Sequence, residues 1–96
     1  NSKDPYTKAA AKSNIGDALV NDGKIKEAIA YFEEAADELD NFFAAKYLLK
    51  AALCYEEIGN PNKAISLYKE IRDKYPQSPE GGDIDKYISR AESLLN

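Results

Sequence analysis

The sequence predicts an all-α chain of stacked helical hairpins, and three observations carry that reading. Apolar residues recur three and four positions apart in five segments, and no stretch alternates with period two over the length of a strand. Each segment is bounded by Asp, Asn, Gly or Pro in an order that starts or stops a helix. The chain also repeats itself. GKIKEAIAYFEEA at 23–35 returns 36 residues later as GNPNKAISLYKEI at 59–71, with Gly, Ala-Ile, an aromatic and Glu in register.

Asp4-Pro5 opens the first helix. A carboxylate accepts from the free amides of a first turn, and the fixed φ of proline suits the first helical position. This helix is expected to reach about Asn21, where Asn21-Asp22-Gly23 stops it. The second spans about Ile25 to Leu39 and breaks at Asp40-Asn41; the third spans about Phe42 to Ile58 and ends at Gly59. From Phe42 to Tyr55 the only charges are Lys46 and Lys50. A helix so apolar needs cover on several sides, as the middle one of five stacked in order would have. Asn60-Pro61 repeats the capped start, and the fourth helix reaches about Lys74. Tyr75–Pro79, with two prolines, reads as a rigid loop. The fifth helix fills about Ile84 to Leu95, with Ser78 or Asp83 near its beginning. Ile84, Tyr87, Ile88, Ala91, Leu94 and Leu95 form its apolar stripe, and Asp85, Lys86, Ser89, Arg90, Glu92 and Ser93 its polar side. That is the design of a capping helix, with one face closing a stack and the other meeting water.

The 36-residue offset also aligns Ile15, Gly16 and Leu19 with Ala51, Ala52 and Tyr55. The repeating unit is therefore helix, glycine turn, helix. One such pair cannot bury its own apolar face, whereas stacked pairs bury a continuous seam. Gly16/Ala52 and Ala28/Ala64 let paired helices approach; Leu19/Tyr55 and Phe32/Tyr68 fill the space beside them. Gly23 and Gly59 supply a left-handed backbone at the turn.

Composition narrows the function classes. With 96 residues, 31% charged and 44% hydrophobic, the chain suits one small globular domain, here 1–96. No apolar run approaches the ~20 residues of a membrane span, so no membrane insertion by this segment is expected. The start NSKDPYTKAA lacks the apolar core of a signal peptide and opens on Asn1 rather than Met, which leaves open that it is a piece of a longer protein. Residues 17–40 carry a net charge of −6 within a chain of −4, which argues against nucleic acid as a partner. The acidic run otherwise reads as a solvated helix face. A single cysteine, Cys54, rules out an intrachain disulfide and sits where a small buried hydrophobe belongs. With no His in the chain, Ser-His and Cys-His pairs cannot form. One Cys is too few for the usual zinc site, and Gly81-Gly82 is too short for a phosphate loop. Adjacent carboxylates such as Glu33-Glu34 and Glu56-Glu57 point apart on a helix. The expectation is a non-enzyme without cofactor or metal.

These residues resemble the tetratricopeptide repeat (TPR) family, whose usual period is about 34. The resemblance covers a first unit, about 9–40, through Ile15, Gly16, Leu19, Gly23, Ala28, Phe32 and Ala35. It covers a second, about 45–76, through Leu48, Ala51, Ala52, Tyr55, Gly59, Ala64, Tyr68, Ile71 and Pro76. A capping helix at about 80–95 follows. The family implies a right-handed solenoid of five helices and a role in binding proteins. The first unit departs from the pattern: Lys12 replaces a large aromatic, Asp40 replaces the closing proline, and two residues are added near Asn41-Phe42. The junction KYPQSPE at 74–80 is similar to one found in bacterial envelope TPR proteins, and the C-terminal half resembles those of Bacteroidetes, including a membrane-anchored periplasmic one. That resemblance implies an envelope-associated, periplasmic, membrane-anchored parent; a cytoplasmic one is not excluded by the residues.

The family also implies that the first helix of each pair lines a groove. On the third helix the stripe is Lys46, Leu49, Lys50 and Leu53, spaced to share one face. The aligned positions are Ala10, Ser13, Asn14 and Asp17 on the first helix, and Gly82, Asp85, Lys86 and Ser89 on the fifth. An extended or helical peptide is the expected ligand, its apolar anchor held by Leu49 and Leu53 and an acid paired with Lys46 and Lys50. A clamp for terminal carboxylates is not expected, because Ser13 and Asp17 stand where Lys and Asn are needed. Two alternatives stay open: Leu49 and Leu53 complete the core, or the chain is a structural or self-associating part of a longer array, with Tyr6, Lys8 and Lys12 packing on preceding repeats.

Overall fold

The computed structural model describes residues 4–95 and is helical throughout its regular structure, with no strand among them. Six helices follow in chain order: α1 (Pro5–Asn21), α2 (Ile25–Asp37), α3 (Ala44–Glu57), α4 (Pro61–Lys74), α5 (Pro79–Gly82) and α6 (Ile84–Ser93). The start signals act as the sequence predicts. Asp4 Oδ1 accepts from the Tyr6 amide at 2.9 Å, and Asn60 Oδ1 accepts from Lys63 at 3.3 Å. Gly23 and Gly59 turn the chain with φ of 80° and 81°.

Three boundaries differ from expectation for local reasons. Asn41 Oδ1 accepts from the Phe43 amide at 3.0 Å, so a turn precedes α3 and delays its start to Ala44. α2 ends at Asp37, and Leu39 turns back into the core from outside the helix. α5 is a single turn inside the expected junction with the capping helix. Ser78 builds it: its hydroxyl donates to the Tyr75 carbonyl at 2.7 Å and accepts from the Gly81 amide at 2.9 Å. A Cβ on Gly81 would lie 2.6 Å from the Tyr75 carbonyl oxygen, so the residue after KYPQSPE must be this small. The junction motif is thus a folding device that aims α6.

Packing runs in chain order, α1 on α2, α2 on α3, α3 on α4 and α4 on α6. The Cα envelope is a slab of 46 × 32 × 15 Å, as stacked hairpins require. α3 is covered by both α2 and α4, which accounts for its few charges. Phe32, Tyr68 and Ile71 are the largest fully buried side chains. Gly16 and Phe32 meet as the pattern predicts, since a Cβ on Gly16 would stand 2.6 Å from Phe32 Cε1. Ile15 is 47% exposed although its counterpart Ala51 is fully buried, because α1 packs chiefly on α2 alone. On α6, Ile84, Ile88 and Ala91 close the stack, while Leu94 and Leu95 lie past the helix end and are exposed.

The departures in the first unit also find an explanation. Lys12, in place of an aromatic, reaches Glu38 at 3.0 Å and Glu34 at 3.4 Å and ties α1 to α2 by charge. The added residues near Asn41 engage α1: Asn41 Nδ2 donates to Tyr6 Oη at 2.8 Å, and the Tyr6 and Phe43 rings meet edge-on at 5.7 Å. Tyr6 and Lys12 therefore have partners within the chain.

Candidate functional site

The candidate site lies along α3 between α1 and α6. Side-chain contacts set these three helices beside one another. Lys50 Nζ donates to Asp17 at 2.9 and 3.1 Å and to Ser13 at 3.4 Å, joining α3 to α1. Arg90 forms a two-pronged pair with Glu56, at 2.8 and 3.3 Å, joining α6 to α3. On a helix, positions 50 and 56 point about 120° apart. The face between them carries Lys46, Leu49 and Leu53.

The expected stripe is therefore exposed in part. Leu53 is 39% exposed, Lys46 is exposed, and Leu49 is half-buried against the core. Of the α1 residues, Ala10 and Asn14 face solvent, Asp17 is half-buried, and Ser13 is buried beneath Lys50. Ser13, Asp17 and Lys50 thus converge on one ion-paired cluster, and Lys50 also stands 5.5 Å from the Phe32 ring centre. Lys50, which the stripe offers to a partner's acid, already holds one from its own chain. On α6, Lys86 and Ser89 are exposed, and Lys86 lies 3.9 Å from Asp83. Asp85 is exposed too and helps raise the Arg72 pKa, behind the larger effect of Asp73, which puts its charge near α4. No described hydrogen bond or ion pair joins Asp85, Lys86 or Ser89 to the α1–α3 cluster.

Extending the stripe by four residues each way finds what the four-residue reading missed. Four residues before Lys46 comes Phe42, stacked on Phe43 at 4.4 Å, both nearly half exposed. With Lys46, Pro79 and Glu80 they border a depression of about 200 Å³. Four residues after Leu53 comes Glu57. Together with Val20, Ile25 and Cys54, these two border a second depression of about 280 Å³. The wider cleft of about 470 Å³ lies elsewhere, between α2 and the α3–α4 turn, around Ile29, Tyr55 and Ile58.

Cys54 is buried, and burial raises its thiol pKa, with Glu57 and Asp17 adding to the effect, so it stays protonated at neutral pH. Among the described residues no cluster of His, Cys, Asp or Glu could hold a metal ion, and no helix is long and apolar enough to cross a membrane. A family model described as tetratricopeptide repeat matches residues 19–83, more than half of the chain. Neither the comparison with curated proteins nor that with solved structures gives a match.

Proposed function

This chain belongs to the tetratricopeptide repeat family, whose members serve as protein–protein interaction scaffolds, and from that premise we propose that it binds a partner segment along α3 without catalysing a reaction. One observation carries the reading. Leu53 and Lys46 are exposed between α1 and α6, and Leu49 beside them is half-buried against the core. An apolar row in a polar surround is a peptide-binding surface: the row supplies affinity and the surround fixes register. Asn14, Asp17, Lys86 and Ser89 form the polar sides in this reading. The likeness of the 74–80 junction to bacterial envelope proteins supports an envelope-associated complex as the setting.

A photo-crosslinking amino acid at Leu53, with Glu92 as a control on α6, tests this in cells that express the protein. A protein captured at Leu53 and not at Glu92 is the expected result. Capture of a second copy of the protein only, or equal capture at Glu92, overturns it. A second reading rests on Ile15: its exposure on the outer side of α1 suits stacking of another helix there. Self-association abolished by Ile15→Glu, measured by sedimentation, would favour that reading.

A further inference from the structure

Four charged residues lie on α3: Lys46, Lys50, Glu56 and Glu57. Lys50 is neutralised by Asp17 and Glu56 by Arg90. Lys46 and Glu57 are in no ion pair among the described residues, and they stand at opposite ends of the stripe, eleven residues or about 16 Å apart along the helix. Each borders one of the two depressions, and the two differ in character. At the Lys46 end the walls are Phe42, Phe43 and Pro79, and Glu80 offsets the lysine, so an uncharged ring suits it. At the other end Val20, Ile25, Leu53 and Cys54 are apolar and Glu57 is the one charge. The raised thiol pKa of Cys54, to which Glu57 contributes after burial, agrees with a negative potential there.

Resting on the groove reading above, we infer that the occupant is an extended partner segment bearing an aromatic residue and, four or five positions away, an aliphatic residue beside a Lys or Arg. The aromatic ring enters beside Phe42 and Phe43. The aliphatic side chain enters beside Val20 and Leu53, and the cation meets Glu57. The spacing follows from geometry. Phe43 and Leu53 are about 15 Å apart along α3, and an extended chain covers about 3.3 Å per residue. The charge preference is the reverse of the acid that two lysines in the stripe suggest, because Asp17 has already taken one of them.

The test uses short fluorescent Gly/Ser peptides carrying Phe and a Leu-Lys pair at this spacing, in both chain orders, titrated with the full chain at low salt. Counterparts carry Leu-Glu. In one order the Leu-Lys peptide should bind roughly fivefold to tenfold tighter than its Leu-Glu counterpart, as an exposed ion pair exchanged for a repulsion allows. Glu57→Lys should invert that preference with an unchanged melting temperature, since Glu57 is exposed and unpaired. Equal binding of the two peptides, no binding of either, or a preference untouched by Glu57→Lys overturns the inference. Self-association of the chain that Glu57→Lys abolishes also overturns it, making a second copy the occupant. Capture at Leu53 by crosslinking judges the groove separately. If capture survives while the peptides show no preference, the motif falls and the groove stands.

Discussion

A methyl group at position 16 would have to occupy space that the Phe32 ring already fills, with Cε1 and Cζ at 2.6 and 2.8 Å. Phe32 is 2% exposed, so the ring cannot swing away into solvent. Gly16→Ala should therefore destabilise the fold by about 1–3 kcal/mol, the usual cost of overpacking. The check is a lower urea midpoint with an unchanged m-value. Gly23 acts differently from Gly16: its φ is 80° and a Cβ there meets nothing. Gly23→Ala should cost about 1–2 kcal/mol through backbone strain alone. Both roles were legible in the sequence, one from small residues paired with large ones and one from the Asn-Asp-Gly stop. The Lys50–Asp17 pair was not, because the two residues are 33 apart and only the fold makes them neighbours.

At the level of elements, α1 and α2 are held by charge where the family pattern has an aromatic. The Lys12 hydrogen bond is the main cause that holds the Glu38 carboxyl below its ordinary 4.5, and the Glu38 hydrogen bond is the main cause that raises Lys12 above 10.5. The lowered acid stabilises the folded state above its ordinary pKa, and that stabilisation is lost as pH falls through the lower folded value. The raised base stabilises it below 10.5 and loses the effect as pH rises through the higher folded value. Lys12→Met should therefore lower the melting temperature by a constant amount near neutrality, and the gap from the unaltered chain should shrink as pH falls below 4.5. A gap unchanged at strongly acid pH would contradict the assignment. The α6 cap depends on a different contact. Tyr68, fully buried, donates its hydroxyl to Glu56, and Arg90 closes over both. Arg90→Ala should speed amide exchange in α6 about tenfold, a loss near 1.4 kcal/mol, and leave α1 and α2 unaffected. Five of the six helices were readable from caps and periodicity. The sixth, α5, is one turn long, too short to show a period, and its signals are the Ser78 cap and Pro79 at its start.

For the whole molecule, each helix pair stabilises the next, so the end of the stack matters more than its small size suggests. The sequence showed this in the amphipathic pattern of the last helix. It could not show how the groove residues divide, because exposure along α3 depends on which helices stand beside it. Ile84, Ile88 and Ala91 lie against α4, and the Tyr87 ring packs on Tyr68 at 5.4 Å. Removing residues 78–96 would uncover Tyr68 and Ile71 together and leave Glu56 without Arg90. Burial of two isoleucines alone is worth roughly 3–6 kcal/mol, a large share of the 5–15 kcal/mol that holds a typical domain. The shortened chain should therefore unfold at a much lower urea midpoint, or pair through its exposed α4 face, which light scattering would report as a mass above that of one chain. A monomer with an unchanged midpoint would mean that α6 is an appendage, and that the two hairpins are stable without a cap. Replacing Leu94 and Leu95 with Ser is the matched control: both are exposed beyond the helix end, so the midpoint should hold and only the loss of α6 itself should lower it.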